Sequence, residues 1–374
     1  MLQKTLGVTL ILVLGGIWFV LQEFSTPDQA QASGAERIVT AQGAGQPGNP
    51  LLRRDAAGSA PAGARARGPG PTAKPPPQAL RADAPPATAT GNGAGSEAFQ
   101  QAMASAAKLH AAGDPGGAEA ALRQALAQAG NSEETGRAAL QLAALTGNRL
   151  ERRQLLSVGL MEGAVQGVEF ETVGQMLRDL NTSPNSSLIP LLTVERYTVE
   201  PNDSLWKLVN KTFPDRYGVS PEVGLLKLVN GMSKDTLRVG QVLLVPIAEL
   251  SLRVDAHQHG LVAWLGDVAI AAYRVGLGKD ERTPMGAFVI KVKQEDPTWF
   301  FDGRVIPHGD PENVLGTRWL GFDDQPGAMG FGIHGTTSPE TIGFSESMGC
   351  VRMRNHEVEE LFEFVARGTR VVIG

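Results

Sequence analysis

The sequence predicts a multidomain chain whose C-terminal domain is mainly β, preceded by a small α+β module and an α-helical region. Three observations carry this. Between residues 96 and 181 apolar side chains recur at helical spacing. Beyond residue 250 they alternate with the period of strands. Upstream of both, residues 33–95 are crowded with Ala, Gly and Pro and hold no aromatic residue. Such a segment cannot bury enough apolar surface to offset its ordering entropy. The chain has 374 residues and a formal net charge of −5, with acidic and basic residues interspersed. No basic stripe with interleaved aromatics appears, so nucleic acid is not an expected partner.

In chain order, residues 5–21 form an uncharged apolar run preceded by Lys4. Its length sits at the short end for a membrane-spanning helix and beyond a usual signal-peptide core. Residues 1–32 are therefore expected as a membrane anchor. The alternative is a cleaved signal, with Ala30-Gln31-Ala32 as the small-residue cleavage site. Either reading exports the rest to the cell envelope, where residues 33–95 would act as a flexible linker.

Phe99, Ala102, Ala106 and Leu109 then share one helix face, and Gly113-Asp114-Pro115 breaks the helix before Ala118, Leu122, Ala125 and Leu126 resume it. Further helices are expected around 132–146, 149–163 and 169–180. The first pair looks like a tetratricopeptide-type hairpin, so region 96–181 is expected as either a protein-docking surface or a self-packed spacer.

Residues 196–247 read βααβ. Tyr197-Thr198-Val199 opens as a strand, and Asp203 or Ser204 can accept backbone N–H bonds at a helix start. Leu205, Leu208 and Val209 give that helix an apolar face. Ser220 as N-cap and Pro221 as N1 start the second helix, which Asn230-Gly231 ends. Val242–Val245 closes the module. From 250 onward, Leu261–Leu265 pairs with Val268–Val275 across Gly266-Asp267. Gly330–His334 is a short strand, and Asn355 caps a helix with the stripe Val358, Leu361, Phe362 and Val365.

The chemistry points to one residue. Cys350 is the only cysteine, so in an exported chain it is a free thiol or an intermolecular link. A free thiol outside the cytosol is prone to oxidation, and an upstream histidine, His334, can supply a reason to keep it by taking its proton. A small buried hydrophobe is the competing reading of Cys350. His257 and His259 share a strand face, but no further ligand completes a metal site, and neither metal nor cofactor is expected.

The flanking residues resemble those of the YkuD-type L,D-transpeptidases, which cross-link peptidoglycan. His334-Gly335 and Ser347-Met348-Gly349-Cys350-Val351-Arg352 match the family's catalytic motif. Val275–Lys279, Thr283-Pro284-Met285-Gly286, Asn313–Leu320 and Gly368–Ile373 are similar to further segments, so the likeness covers residues 250–374. It implies a mixed β-sandwich, with Cys350 as nucleophile and His334 as base. The Gly335 carbonyl would fix the imidazole, and backbone N–H groups around Gly349 and Cys350 would hold an oxyanion. Arg352 would clamp a substrate carboxylate or the loop, or else form a salt bridge in the fold, and Ser347 would contact substrate or shape the turn. A second histidine of the motif is Met348 here.

Residues 196–247 resemble a LysM module, with Asn202 in a glycine position. That implies a glycan groove between Asn202, Asp203, Ser204 and Leu205 on one side and Asn230, Gly231 and Met232 on the other. The implied function is formation of 3→3 cross-links through an acyl-enzyme, using stem peptides and glycan strands as partners. An L,D-carboxypeptidase, a protein-anchoring enzyme and a non-catalytic peptidoglycan-binding protein are the alternatives.

Overall fold

The computed structural model describes residues 11–14, 17–20, 93–182 and 187–374. The expected linker lies outside the described residues up to 92, as does most of the expected anchor. The described parts of the apolar run are two short strands, β1 (Ile11–Leu14) and β2 (Ile17–Val20), joined in a two-stranded sheet. Among the described residues no helix is long and apolar enough to cross a membrane.

Five helices follow: α1 (Gly93–Ala111), α2 (Pro115–Gln128), α3 (Ser132–Leu145), α4 (Arg149–Met161) and α5 (Glu169–Thr182). Side-chain caps set three of the starts. Asp114 accepts from Gly117 N–H, Asn131 from Glu134 N–H, and Asn148 from Leu150 and Glu151 N–H. Each such cap stabilises its helix by about 1 kcal/mol.

These helices are not a free docking arm. Phe170, Val173 and Leu177 of α5 and Leu155 and Leu156 of α4 form one apolar core with Val262, Trp264, Ala269 and Ala272 of the C-terminal sheet. The face that sequence reasoning offered to a protein partner in region 96–181 is thus largely covered by the chain itself. Arg153 of α4 is fully buried at this junction and bonds Asn181 Oδ1 at 2.8 Å and the Ala269 carbonyl at 3.2 Å.

The next module contains β3 (Val194–Thr198), the helical turns α6 (Leu205–Lys207) and α7 (Phe213–Tyr217), α8 (Val223–Asn230) and β4 (Val242–Pro246), with β3 antiparallel to β4. Tyr197, Leu205, Leu208, Phe213, Leu226 and Leu243 are its core. The second helix starts later than expected. Ser220 gives its hydroxyl to the Val209 carbonyl at 2.8 Å instead of capping, and Glu222 takes the N-cap position. Gly231 ends the helix in the left-handed conformation at φ 61°. The module is docked on the C-terminal domain: Lys293 Nζ bonds Glu222 Oε1 at 2.9 Å, and Leu225 and Val229 enter the core of the main sheet.

That core belongs to the C-terminal domain. Its strands are β5 (Leu250–Asp255), β6 (Gly260–Leu265), β7 (Val268–Arg274), β8 (Leu277–Gly278), β9 (Gly286–Glu295), β10 (Trp299–Phe301), β11 (Arg304–Ile306), β12 (Arg318–Phe322), β13 (Gly332–His334), β14 (Ser345–Ser347), β15 (Val351–Arg352) and β16 (Arg370–Ile373), with helix α9 (Asn355–Phe364) before the last. Eight of them make one mixed sheet in the order β15-β13-β12-β9-β16-β5-β6-β7. The expected mixed sandwich is therefore one continuous curled sheet. The C-terminal strand β16 sits inside it, parallel to β5 and antiparallel to β9.

The hairpin β10–β11 stands apart as its own two-stranded sheet. Trp299 stacks on Phe301 at 4.6 Å, and Phe300 is 72% exposed. The sequence favours core packing of Trp299, Phe300 and Phe301 over a place in the wall of a donor cleft; among the described residues no second layer covers the hairpin, and Phe300 and Phe301 stay exposed.

Candidate active site

The site forms where β13 and β15 pair in parallel. Their register sets Ile333 opposite Val351 and His334 opposite Arg352. Cys350 precedes β15 and so falls alongside the start of β13, where the Gly332 N–H points at its thiol. Met353 N–H donates to the His334 carbonyl at 2.9 Å and locks the pairing beyond Cys350.

His334 is 3% exposed, and its Nδ1 lies 2.5 Å from the Gly335 carbonyl oxygen. A carbonyl only accepts, so Nδ1 carries the proton and Nε2 keeps its lone pair. Burial pushes the imidazole pKa down to about 4, and the nearby Arg352 charge adds to that, while the Gly335 carbonyl opposes it. At neutral pH the ring is an uncharged base. Trp319, paired with His334 across β12, lies 5.8 Å away between ring centroids. It also packs against Gly332, where any side chain would strike the indole and the Leu320 carbonyl.

Cys350 is half-buried. Burial pushes its thiol up to about 11; the Gly332 N–H and the Arg352 charge pull the other way. The resting pair is thus a neutral thiol with a neutral imidazole rather than an ion pair. Arg352 is the nearby cation. Its own pKa is lowered by burial, and Glu346 and Glu340 face it electrostatically. Its Nε and Nη2 are buried and, among the described residues, find no hydrogen-bond partner. Orphaned charged donors cost free energy unless something accepts from them, so this guanidinium offers an anion-binding position beside the thiol.

The turn before Cys350 is held by Ser347. Its hydroxyl donates to the Cys350 carbonyl at 2.8 Å and accepts from Gly349 N–H at 3.0 Å. Of the two readings of Ser347 the contacts favour the turn, and one of the expected oxyanion donors is engaged. The Ser347 proton is committed to the turn rather than to a substrate, and the Gly349 N–H is already used. Gly349 itself has φ 138° and packs against the Phe331 ring and Gly278, leaving no room for a side chain. Met348, in the place of the motif's second histidine, is 55% exposed.

Sequence reasoning missed Asn355. It was read as a helix cap, yet Arg354 occupies the cap position, and Asn355 Oδ1 accepts from Thr336 N–H at 3.0 Å. Gly335 and Gly316 pack so closely on this amide that a Cβ on either would overlap it. Asn355 thereby fixes the peptide whose carbonyl orients His334. The available signal was its place five residues after the nucleophile. His259, offered by sequence only as half of a His-x-His pair, has its Nε2 2.9 Å from Ser345 Oγ.

The seven residues of the expected glycan groove mostly hold the small module together. Asp203 accepts from Tyr197 OH at 2.7 Å, Glu200 N–H at 2.8 Å and Lys207 Nζ at 3.0 Å. Ser204 caps Lys207 N–H, and Leu205 is buried. Asn230 spends its amide on the Leu226 and Leu244 backbone, and Gly231 ends α8. Asn202 is exposed with φ 66°, and Met232 is half-buried. Trp206, which sequence reasoning passed over, is 72% exposed beside them in sequence. Its position off the Leu205–Leu208–Val209 face was the readable signal.

A family model for the L,D-transpeptidase (YkuD) catalytic domain matches residues 251–373, and one for the LysM domain matches residues 197–246. YqjB of Bacillus subtilis strain 168, which carries the name of an L,D-transpeptidase, is 42% identical over 123 residues, covering 32% of this chain and 68% of that protein. YkuD of the same organism, similarly named, is 32% identical over 144 residues, covering 37% and 77%. The NMR structure of the catalytic domain of the L,D-transpeptidase from E. faecium is 24% identical at a TM-score of 0.28, over 34% of this chain and 98% of that one. The chain belongs to the YkuD family of L,D-transpeptidases, a family of enzymes, and it carries a LysM domain.

Proposed function

We propose that the protein is a peptidoglycan L,D-transpeptidase acting through Cys350, and that it forms 3→3 cross-links in the cell envelope. The observation that carries this reading is the buried, neutral His334, whose Nδ1 faces the Gly335 carbonyl while the sole thiol of the chain lies across the same strand pair. In the first half-reaction His334 Nε2 takes the thiol proton as sulfur attacks the carbonyl between the third residue of a stem tetrapeptide and its terminal D-alanine. The C–N bond breaks, the imidazolium returns the proton to the departing amine, and a thioester remains. In the second, the side-chain amine of a diamino acid attacks the thioester, gives its proton to His334 and releases the thiolate, which is reprotonated.

Since Ser347 Oγ uses the Gly349 N–H, the Cys350 N–H is the donor left at the turn for the tetrahedral oxyanion. The orphaned Arg352 donors would take the substrate carboxylate. The LysM domain would hold glycan through the exposed Asn202, Trp206 and half-buried Met232.

Mass spectrometry of products from purified tetrapeptide muropeptides tests the reaction. Dimers with loss of D-alanine support it. Trimmed tripeptides would make the chain a carboxypeptidase, and unchanged substrate would make it a binding protein.

A further inference from the structure

The helical region touches the active-site segment at one carboxylate. Glu171 of α5 lies 2.6 Å from Arg354 Nη2 and 3.6 Å from Arg274 Nη1. These two arginines border the nucleophile segment on both sides. Arg354 follows Arg352 by two residues and also reaches Glu357 Oε1 at 3.4 Å. Arg274 ends β7, and its guanidinium lies flat under Gly343, so close that any side chain there would fall on it; it also sits 5.9 Å from the Phe344 ring centroid.

The residues just after Arg274 stitch the segment down. Gly343 N–H donates to the Val275 carbonyl at 3.1 Å and Leu277 N–H to the Phe344 carbonyl at 3.0 Å, while Gly276 and Arg352 exchange two bonds of 2.8 Å. Glu171 therefore meets the stretch from Gly343 to Arg354 directly at Arg354 and, at its other end, through Arg274, on which Gly343 packs; that stretch holds Ser347, Gly349, Cys350 and Arg352.

From this geometry we infer that Glu171 is a positioning residue, through which the helical region holds the nucleophile segment in register with His334. Its side chain is 42% exposed, and partly exposed ion pairs contribute little to stability. Global stability is thus a poor reason for the arrangement. A shared carboxylate that fixes two arginines in one place is a geometric device, and small misplacements at a reacting centre cost large factors in rate. The α4–α5 core against β6 and β7 makes the device rigid from behind, since Gly174 packs directly on the Ala272 carbonyl and Phe170 on Gly260. For catalysis the inference rests on the Cys350 reaction proposed above; for the ordering of the segment it does not.

Two readouts on the full chain separate these. Amide hydrogen exchange of peptides spanning 341–354 reports the clasp whatever the reaction. Acylation of Cys350 by a stem-tetrapeptide donor, followed by intact mass, reports its consequence. Glu171→Ala is expected to speed exchange at 341–354 about tenfold, with peptides of β5 and β16 unchanged, and to slow acylation about fivefold. Glu171→Gln, which keeps an acceptor for Arg354, should recover most of both. Should Glu171→Ala fail to fold, Arg274→Lys, which keeps the charge but loses the planar fork, serves the same comparison. Unchanged exchange at 341–354 in the variant that folds overturns the inference. A wild-type chain that the tetrapeptide donor does not acylate overturns the transpeptidase reading instead and leaves the exchange comparison to decide the clasp.

Discussion

His334 and Arg352 stand directly opposite each other on the parallel rung between β13 and β15. The base and the cation of the site are thus fixed by one pairing register, and Cys350 is placed by the same register two residues earlier. Arg352 acts on both partners in the useful sense. Its charge disfavours a protonated imidazole and favours a thiolate. A neutral residue at 352 should therefore push the thiol further above about 11 and lower its reactivity. Arg352→Gln is expected to slow iodoacetamide alkylation of Cys350 at pH 9, the single thiol making intact mass an unambiguous readout. Alkylation at the wild-type rate would show that the guanidinium does not act on the sulfur.

The depressed His334 pKa also has a consequence for stability. Burial lowers it from 6.5 in the unfolded chain to about 4. Below pH 6.5 the unfolded state binds a proton that the folded state refuses, so stability is complete above 6.5 and is lost as pH falls toward 4. The full span corresponds to roughly 3 kcal/mol. The thermal midpoint of His334→Gln should accordingly fall less between pH 6.5 and 4 than that of the wild type. Parallel curves for the two proteins would mean that the imidazole is hydrated.

Much of this organisation is legible in the sequence, for identifiable reasons. The Asp114-Pro115 break, the Ser204 cap and the Gly266-Asp267 turn are local signals, and local backbone chemistry decides them. Cys350 is conspicuous because it is single, and His334 because a strand pattern ends on it. What was not legible depends on distant parts of the chain. Ser220 fails to cap because Val209 offers it a carbonyl. Asn355 serves Thr336, nineteen residues earlier in sequence, and Glu171 meets Arg354 across the whole LysM domain. Phe300 and Phe301 read as core because aromatic strands usually are, and only the absence of a covering layer over β10–β11 exposes them.

Asn355 should matter more for rate than for folding. Its Oδ1 holds the Gly335–Thr336 peptide, and the Gly335 carbonyl holds Nδ1 of the base. Asn355→Ala is expected to slow acylation of Cys350 by a tetrapeptide donor about tenfold, or roughly 1.4 kcal/mol in the barrier. Asn355→Asp keeps the accepting oxygen and should stay much closer to wild type. Equal losses in the two variants would argue for a packing role only.

On the LysM domain, Trp206 is exposed while most of the groove residues named from sequence are engaged in the fold. An exposed indole offers an apolar face to a sugar ring at small entropic cost. Trp206→Ala in the full chain should markedly reduce co-sedimentation with purified sacculi, whereas Lys211→Ala on the same helical stretch should not. Undiminished recovery in the pellet would move glycan contact elsewhere.

The last prediction concerns Met348. Its side chain is 55% exposed, whereas His334 is 3% exposed, so a group at 348 sits in a far wetter environment than the base. An apolar thioether adds no charge to either partner. A histidine introduced there would be well hydrated and would titrate near the ordinary imidazole range, a poor competitor for a base already oriented by the Gly335 carbonyl. Met348→His should therefore leave donor acylation within about tenfold, no more than roughly 1.4 kcal/mol in the barrier. His334→Ala should cost at least about a hundredfold, as expected for loss of a general base. Stopped-flow acylation of the two variants compares them directly. A gain of several orders of magnitude in Met348→His would mean that His334 alone does not suffice, and that the native chain serves chiefly to bind peptidoglycan.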